Sequence, residues 1–107
     1  MAHIVSSADF EAQVLKSPDV VLVDFFANWC GPCLALLPVI DELSKEIGKG
    51  AKIVKVDVDE SSDLAAKYGV MSIPALKVFK NGKVVEEVTG VRSKNALKEM
   101  IEKHRNK

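Results

Sequence analysis

The sequence has no excess of either charge: 15 Lys and Arg balance 15 Asp and Glu, for a formal net charge of +0. A balanced chain has no electrostatic footprint for nucleic acid or an anionic membrane surface, so neither is expected as a partner. It also lacks an apolar run approaching the roughly 20 residues of a membrane span. Residues 1–20 carry Asp9 and Glu11 and lack the apolar core of a secretory signal, so the chain reads as cytoplasmic. No repeat, linker or low-complexity tract interrupts it. Cysteine is scarce, with 2 in all, close together as Cys30-Gly31-Pro32-Cys33. A bond across so short a loop removes little entropy from the unfolded chain, which excludes a disulfide-stapled scaffold. Metal ligands are scarce too. Tetrahedral zinc needs about four, and beyond the cysteine pair only His3 and His104 remain, neither at ligand spacing. No metal is expected.

What is present suits one compact domain over residues 1–107, in which 48% apolar residues fill a single core. After a short apolar start at Ile4 and Val5, Ser6 or Ser7 can cap a helix carrying Phe10 and Val14, ended by Pro18. Residues 20–27 (VVLVDFFA) are apolar without alternation, the pattern of a strand covered on both faces. A helix is expected to begin around Cys33, with Leu36, Ile40, Leu43 and Ile47 on one face, a kink at Pro38, and Gly48 and Gly50 as its stop. Residues 53–58 read as the next strand, and Ser62 as the cap of a short helix closed by Gly69. Residues 75–80 and 83–89 form a hairpin, since Asn81-Gly82 is a strong two-residue turn signal. Ser93 starts a last helix with Leu97, Met100, Ile101 and His104 along one stripe. Lys103, His104, Arg105 and Lys107 read as a solvated basic end. The order βαβαβα followed by ββα describes an α/β domain whose open mixed sheet carries helices on both faces.

The cysteine pair follows a buried strand and opens a helix, and that context says more than its spacing. Backbone N–H groups and the dipole at a helix N-terminus favour a thiolate over a thiol. Thiolate is the species that attacks a disulfide. Cys30, projecting from the helix end, is the candidate nucleophile, and Cys33, inside the first turn, the candidate resolving thiol. Gly31 leaves the approach to sulfur open, and Pro32 sits where its missing N–H costs nothing. Asp24 interrupts the apolar strand. Buried, its carboxyl would hold a proton to near neutral pH and act as a base toward Cys33; at a frayed strand end it would be an ordinary surface acid. Lys55 is either a partner for Asp24 or a surface residue. Pro74 either starts a strand or follows a cis peptide, and Trp29 belongs to the core or to the rim of a docking surface.

The segment Val23-Asp24-Phe25-Phe26-Ala27-Asn28-Trp29-Cys30-Gly31-Pro32-Cys33, with Pro38, Ile73-Pro74, Phe79-Lys80-Asn81-Gly82 and Gly90, resembles the thioredoxin family over essentially the whole chain. That resemblance implies the thioredoxin fold, a five-stranded mixed sheet flanked by four helices. It implies a general protein-disulfide reductase that takes part in cell redox homeostasis, with Asp24 beneath Cys33, Lys55 nearby and Ile73-Pro74 cis beside the disulfide. Trp29, Gly31, Pro32, Ile73, Pro74, Gly90 and Val91 would form a shallow docking surface for disulfide-containing client proteins. Electrons in the family come from NADPH through thioredoxin reductase, so no cofactor is bound, and a monomer is expected. Three positions depart from the family's commonest pattern. Phe26 stands where tryptophan is usual, Ala75 where threonine is frequent, and Leu34 where a basic residue commonly follows the second cysteine. A non-redox docking module would need neither cysteine nor an acidic residue at position 24, and all three are here.

Overall fold

The computed structural model describes residues 2–105. Ten elements follow in chain order. They are β1 (His3–Ile4), α1 (Ser7–Phe10) running into a π-helical turn (Glu11–Leu15), and β2 (Val20–Phe26). Next come α2 (Gly31–Glu46), β3 (Ala51–Asp57), α3 (Ser62–Lys67), β4 (Ala75–Lys80), β5 (Lys83–Thr89) and α4 (Lys94–Arg105). The five strands form one sheet in the order β1-β3-β2-β4-β5. β1, β3 and β2 run parallel, and β4 and β5 are antiparallel to their neighbours. The predicted α/β architecture is therefore the observed one.

β2 is the central strand, buried at all seven positions. Because side chains alternate across a strand, it serves two cores. Val20 and Leu22 pack with Leu36, Ile40 and Leu43 of α2 and Leu97 and Ile101 of α4. Val21, Val23 and Phe25 pack with Phe10, Val14 and Leu64 on the opposite face. This double cover explains the unbroken apolar run: no face of the strand meets water. The same alternation puts Asp24 on the α2 face, opposite Lys55 in the parallel β2–β3 register.

Local chemistry sets the turns. Asn81 and Gly82 both have positive φ, 53° and 79°, as a type I′ hairpin demands. At Gly82 a Cβ would also lie 3.1 Å from the Leu15 carbonyl, so glycine is required there twice over. Ser93 Oγ accepts a bond from the Ala96 N–H at 3.1 Å and holds the first turn of α4.

α2 begins at Gly31, with Cys30 at the cap position, Cys33 inside the first turn as expected and Pro38 within the helix. Three expectations are corrected. β3 begins at Ala51 and ends at Asp57, since its parallel pairing with β2 starts at Val20–Ala51. Neither Ser6 nor Ser61 makes a side-chain cap bond, and Ser62 is already inside α3. The basic end is not a solvated tail. His104 Nε2 lies 2.9 Å from Glu86 Oε1, and Arg105 binds the Ile47 and Lys49 carbonyls where α2 ends. The orphan carbonyls of a helix end attract a cation, so these side chains fold back onto the domain. Lys107 falls outside the described residues. Among the described residues no helix is long and apolar enough to cross a membrane.

Candidate active site

At the carboxyl end of β2 the chain leaves the sheet at Ala27 and turns into α2. The turn is held by the Cys30 N–H, which donates to the Ala27 carbonyl at 3.2 Å. Cys30 is thereby the N-cap of α2, and its Sγ accepts from the Cys33 N–H at 3.2 Å. A helix cap is normally an oxygen from Ser, Thr, Asp or Asn. Here a sulfur fills that role, so the first-turn N–H groups are aimed at the atom that carries negative charge as thiolate.

Both cysteines are free thiols. Cys30 is 6% exposed and Cys33 0%, so only Cys30 is open to another molecule. Across from it, the Cys30 thiol faces the Ile73 carbonyl oxygen at 3.9 Å. Ile73-Pro74 is a cis peptide, with Pro74 buried and Ile73 half-buried. The Gly90 N–H donates to the Pro74 carbonyl at 2.8 Å, drawing the 90–91 turn up to the same edge. Trp29 is 70% exposed, which places it at the rim and not in the core. Its indole Nε1 donates to Asp59 Oδ2 at 2.9 Å. Gly31 and Pro32 are exposed, and a Cβ at Gly31 would meet nothing within 4 Å. Val91 and Leu34 stand half out of the surface. Of the residues singled out from the sequence, hydrogen bonds thus tie Cys30 to Cys33 and Ile73, and Pro74 to Gly90.

Asp24 is 0% exposed, and neither carboxylate oxygen has a hydrogen-bond partner. Burial pushes its carboxyl up to about 7, with the positive charge of Lys55 pulling the other way. Lys55 is half-buried and holds its ammonium 5.8 Å from the centroid of the Phe26 ring. It acts on Asp24 through its field, without an ion pair between them. Burial also pushes the Cys33 thiol up to about 12, reinforced by the Cys30 side chain and by the negative charges of Cys30 and Asp24. The Ala27 backbone opposes this only in part. Cys33 therefore holds its proton in the reduced state, and Asp24 is the carboxyl whose charge reaches it.

Sequence reasoning missed Asp57, Asp59 and Asn28. Asp57 is 6% exposed at the end of β3. It accepts from the Asp59 N–H at 2.9 Å, the Glu60 N–H at 3.4 Å and Asn28 Nδ2 at 3.4 Å. It braces the loop whose Asp59 holds Trp29. The readable signal was the pair of aspartates leaving an apolar strand, since Asp there bonds N–H groups a few residues on. Among the described residues, no group of three or more His, Cys, Asp or Glu side chains is arranged to hold a metal ion.

A paired thiol at a helix start, beside a cis proline on a mixed sheet, defines a dithiol–disulfide oxidoreductase. Comparison with known proteins agrees. The family model described as Thioredoxin matches residues 1–103. Thioredoxin of Bacillus subtilis (strain 168) is 52% identical over 101 residues, covering 94% of this chain and 97% of the relative. Thioredoxin of Staphylococcus aureus (strain Mu50 / ATCC 700699) is 49% identical over 100 residues, covering 94% of each. Among solved structures, a mutant thioredoxin from Halobacterium salinarum NRC-1 superimposes with a TM-score of 0.87 at 40% identity, covering 99% of this chain and 91% of that one. The chain belongs to the thioredoxin family. Its function is dithiol–disulfide exchange in redox homeostasis, with disulfide-containing proteins as clients.

Proposed function

We propose that this chain is a general protein-disulfide reductase in which Cys30 attacks, Cys33 resolves and Asp24 moves the proton. Cys30 thiolate attacks one sulfur of a client disulfide. A Cys30–client bond forms, the client S–S bond breaks, and the departing client thiolate takes a proton. Cys33 then gives its proton to the Asp24 carboxylate, directly or through one water molecule, and attacks Cys30 Sγ. The Cys30–Cys33 disulfide forms and the second client thiolate leaves, so two electrons have passed to the client.

The observation that carries this reading is the capping sulfur. Cys30 Sγ sits 3.2 Å from the Cys33 N–H with a carbonyl opposite, so the nucleophile is aligned at its resolving partner. Asp24 supports it as a buried carboxyl with its titration near neutral pH, the range in which a base works best. Lys55 tunes that carboxyl through space. Trp29, Gly31, Pro32, Ile73, Pro74, Gly90 and Val91 form the docking surface, where the Ile73 backbone pairs with the client segment. The oxidised protein is returned to the dithiol by a thioredoxin reductase, and it works as a cytoplasmic monomer.

Single-turnover reduction of a protein disulfide tests the assignment. Cys30→Ser is expected to abolish turnover, and Cys33→Ser to leave a stable mixed disulfide through Cys30, visible by mass spectrometry. A mixed disulfide through Cys33 in the Cys30→Ser variant would reverse the roles.

A further inference from the structure

Beside the docking surface lies a second feature that the exchange chemistry does not use. A cavity of about 370 Å³ opens between the loop leading into Pro74 and edge strand β5, lined among others by Met71, Ser72, Lys77, Glu87 and Thr89. Lys77 is the anomaly in it. It stands on β4 between Ala75 and Phe79, both in the α1/α3 core, and is itself only 6% exposed. An ammonium in such a place is costly unless paired. Its partner is Glu87, directly opposite on β5, whose Oε1 receives the Lys77 ammonium. The Glu87 side chain remains 62% exposed. Its other oxygen, Oε2, has no partner among the described residues.

The pair is therefore asymmetric toward solvent. The positive end is sealed inside and the negative end is presented, fixed in place by the buried lysine. Met71, 94% exposed, supplies an apolar wall at the same opening. An unbranched, polarizable side chain there suits the aliphatic stem of a long cationic residue.

The cavity adjoins the reacting sulfur through the backbone. Met71 and Ser72 immediately precede Ile73, whose carbonyl lies 3.9 Å from Cys30 Sγ. Thr89 immediately precedes Gly90, which is bonded to Pro74. An extended client chain advances roughly 3.3 Å per residue, and alternate side chains share a side. Two residues along, such a chain has advanced about 7 Å, with its side chain on the same side as the cysteine.

We propose that this cavity is a specificity subsite that takes a lysine or arginine side chain two residues from the attacked client cysteine, with Glu87 accepting the cation and Lys77 holding Glu87 in position. The proposal rests on the reductase reading above. It assigns Glu87 a share in client choice and Lys77 a positioning role, neither touching the sulfur chemistry.

The test is a competition among synthetic peptide disulfides that differ only two positions from the cysteine, on either side, carrying Lys, Gln or Glu. At low salt the wild type is expected to reduce a Lys peptide about threefold faster in kcat/KM than the Gln peptide, and the Glu peptide more slowly. That is the scale of an exposed charge pair, and about 0.5 M salt should erase it. Glu87→Gln should level the three peptides. Lys77→Met, by releasing Glu87 from its fixed position, should shrink the Lys preference while leaving reduction of the Gln peptide unchanged; the exposed Glu87→Gln variant carries the test by itself if Lys77→Met fails to fold. Equal rates for all peptides in the wild type, or a Lys preference that survives Glu87→Gln, would overturn the subsite while leaving the reductase intact. Reduction of none of the peptides would overturn the reductase reading itself.

Discussion

Two aspartates on adjacent strands are both buried, and they are treated in opposite ways. Asp57, at the end of β3, accepts bonds from the Asp59 and Glu60 N–H groups and from Asn28. Asp24, in the middle of β2, has both oxygens without a hydrogen-bond partner and only the field of Lys55 to favour its charge. Buried polar groups are normally hydrogen-bonded, and an exception calls for a functional explanation. Asp57 is a carboxylate used as mortar, fastening the Trp29 loop to the sheet. Asp24 is a carboxyl held where neither ionisation state is comfortable, and the proposed proton transfer uses it beside a thiol whose proton is hard to remove. The strand carries this burden because its two faces are otherwise saturated with apolar contacts.

The largest way to separate the two is Asp24→Ala. With the folded carboxyl at about 7 and the unfolded one at 3.8, the native state binds more protons than the unfolded state between those values. Stability therefore falls as pH rises through that window and levels off above it, a loss of about 4 kcal/mol at roughly 1.4 kcal/mol per unit. The alanine variant should be more stable than the wild type by nearly that amount at pH 8 and by almost nothing near pH 4, as read from urea unfolding. A constant offset across pH would mean that Asp24 ionises freely. Asp57→Ala should do the reverse, destabilising by about 2 kcal/mol at neutral pH, because two loop N–H groups and an amide lose their acceptor. If that substitution is neutral, the bracing role is wrong.

Smaller changes sharpen the comparison. Lys55→Met removes the positive charge that lowers Asp24, so its titration midpoint, followed by carboxyl-carbon NMR, should move upward. A downward move would show that Lys55 acts on Asp24 by something other than charge. Trp29→Phe deletes the exposed bond to Asp59 and should cost below about 1 kcal/mol in stability. A loss as large as that of Asp57→Ala would place the strength of this corner in the indole and not in the buried carboxylate.

The element order, the Asn81-Gly82 hairpin, the doubly covered strand and the thiol pair at a helix start were all legible, because each depends on neighbours within a few residues. Helix boundaries were read less well. Cys30 serves as a cap, a role that residue preferences assign to oxygen-bearing side chains, so α2 starts earlier than its apolar stripe suggests. The folding back of His104 and Arg105 was invisible, since Glu86 and the Ile47 carbonyl reach them only through tertiary packing. Asp24 and Lys55 stood out as charges in apolar runs, yet their apposition needs the β2–β3 register. Asp57 was missed because an acidic residue leaving a strand reads as ordinary loop chemistry until burial is known. Lys77 passed unnoticed because Lys80, Lys83, Glu86 and Glu87 share its hairpin, so one more charge there reads as an exposed position.

The claim that Asp24 takes the proton of Cys33 is tested most directly by the pH dependence of the resolving step. A mixed disulfide on Cys30 is formed by rapid mixing, and release of the second client thiol is followed in the wild type and in Asp24→Asn. The account predicts a wild-type rate that rises through an inflection near pH 7, and an Asn variant about a hundredfold slower at neutral pH with that inflection gone. Superimposable profiles for the two proteins would contradict it.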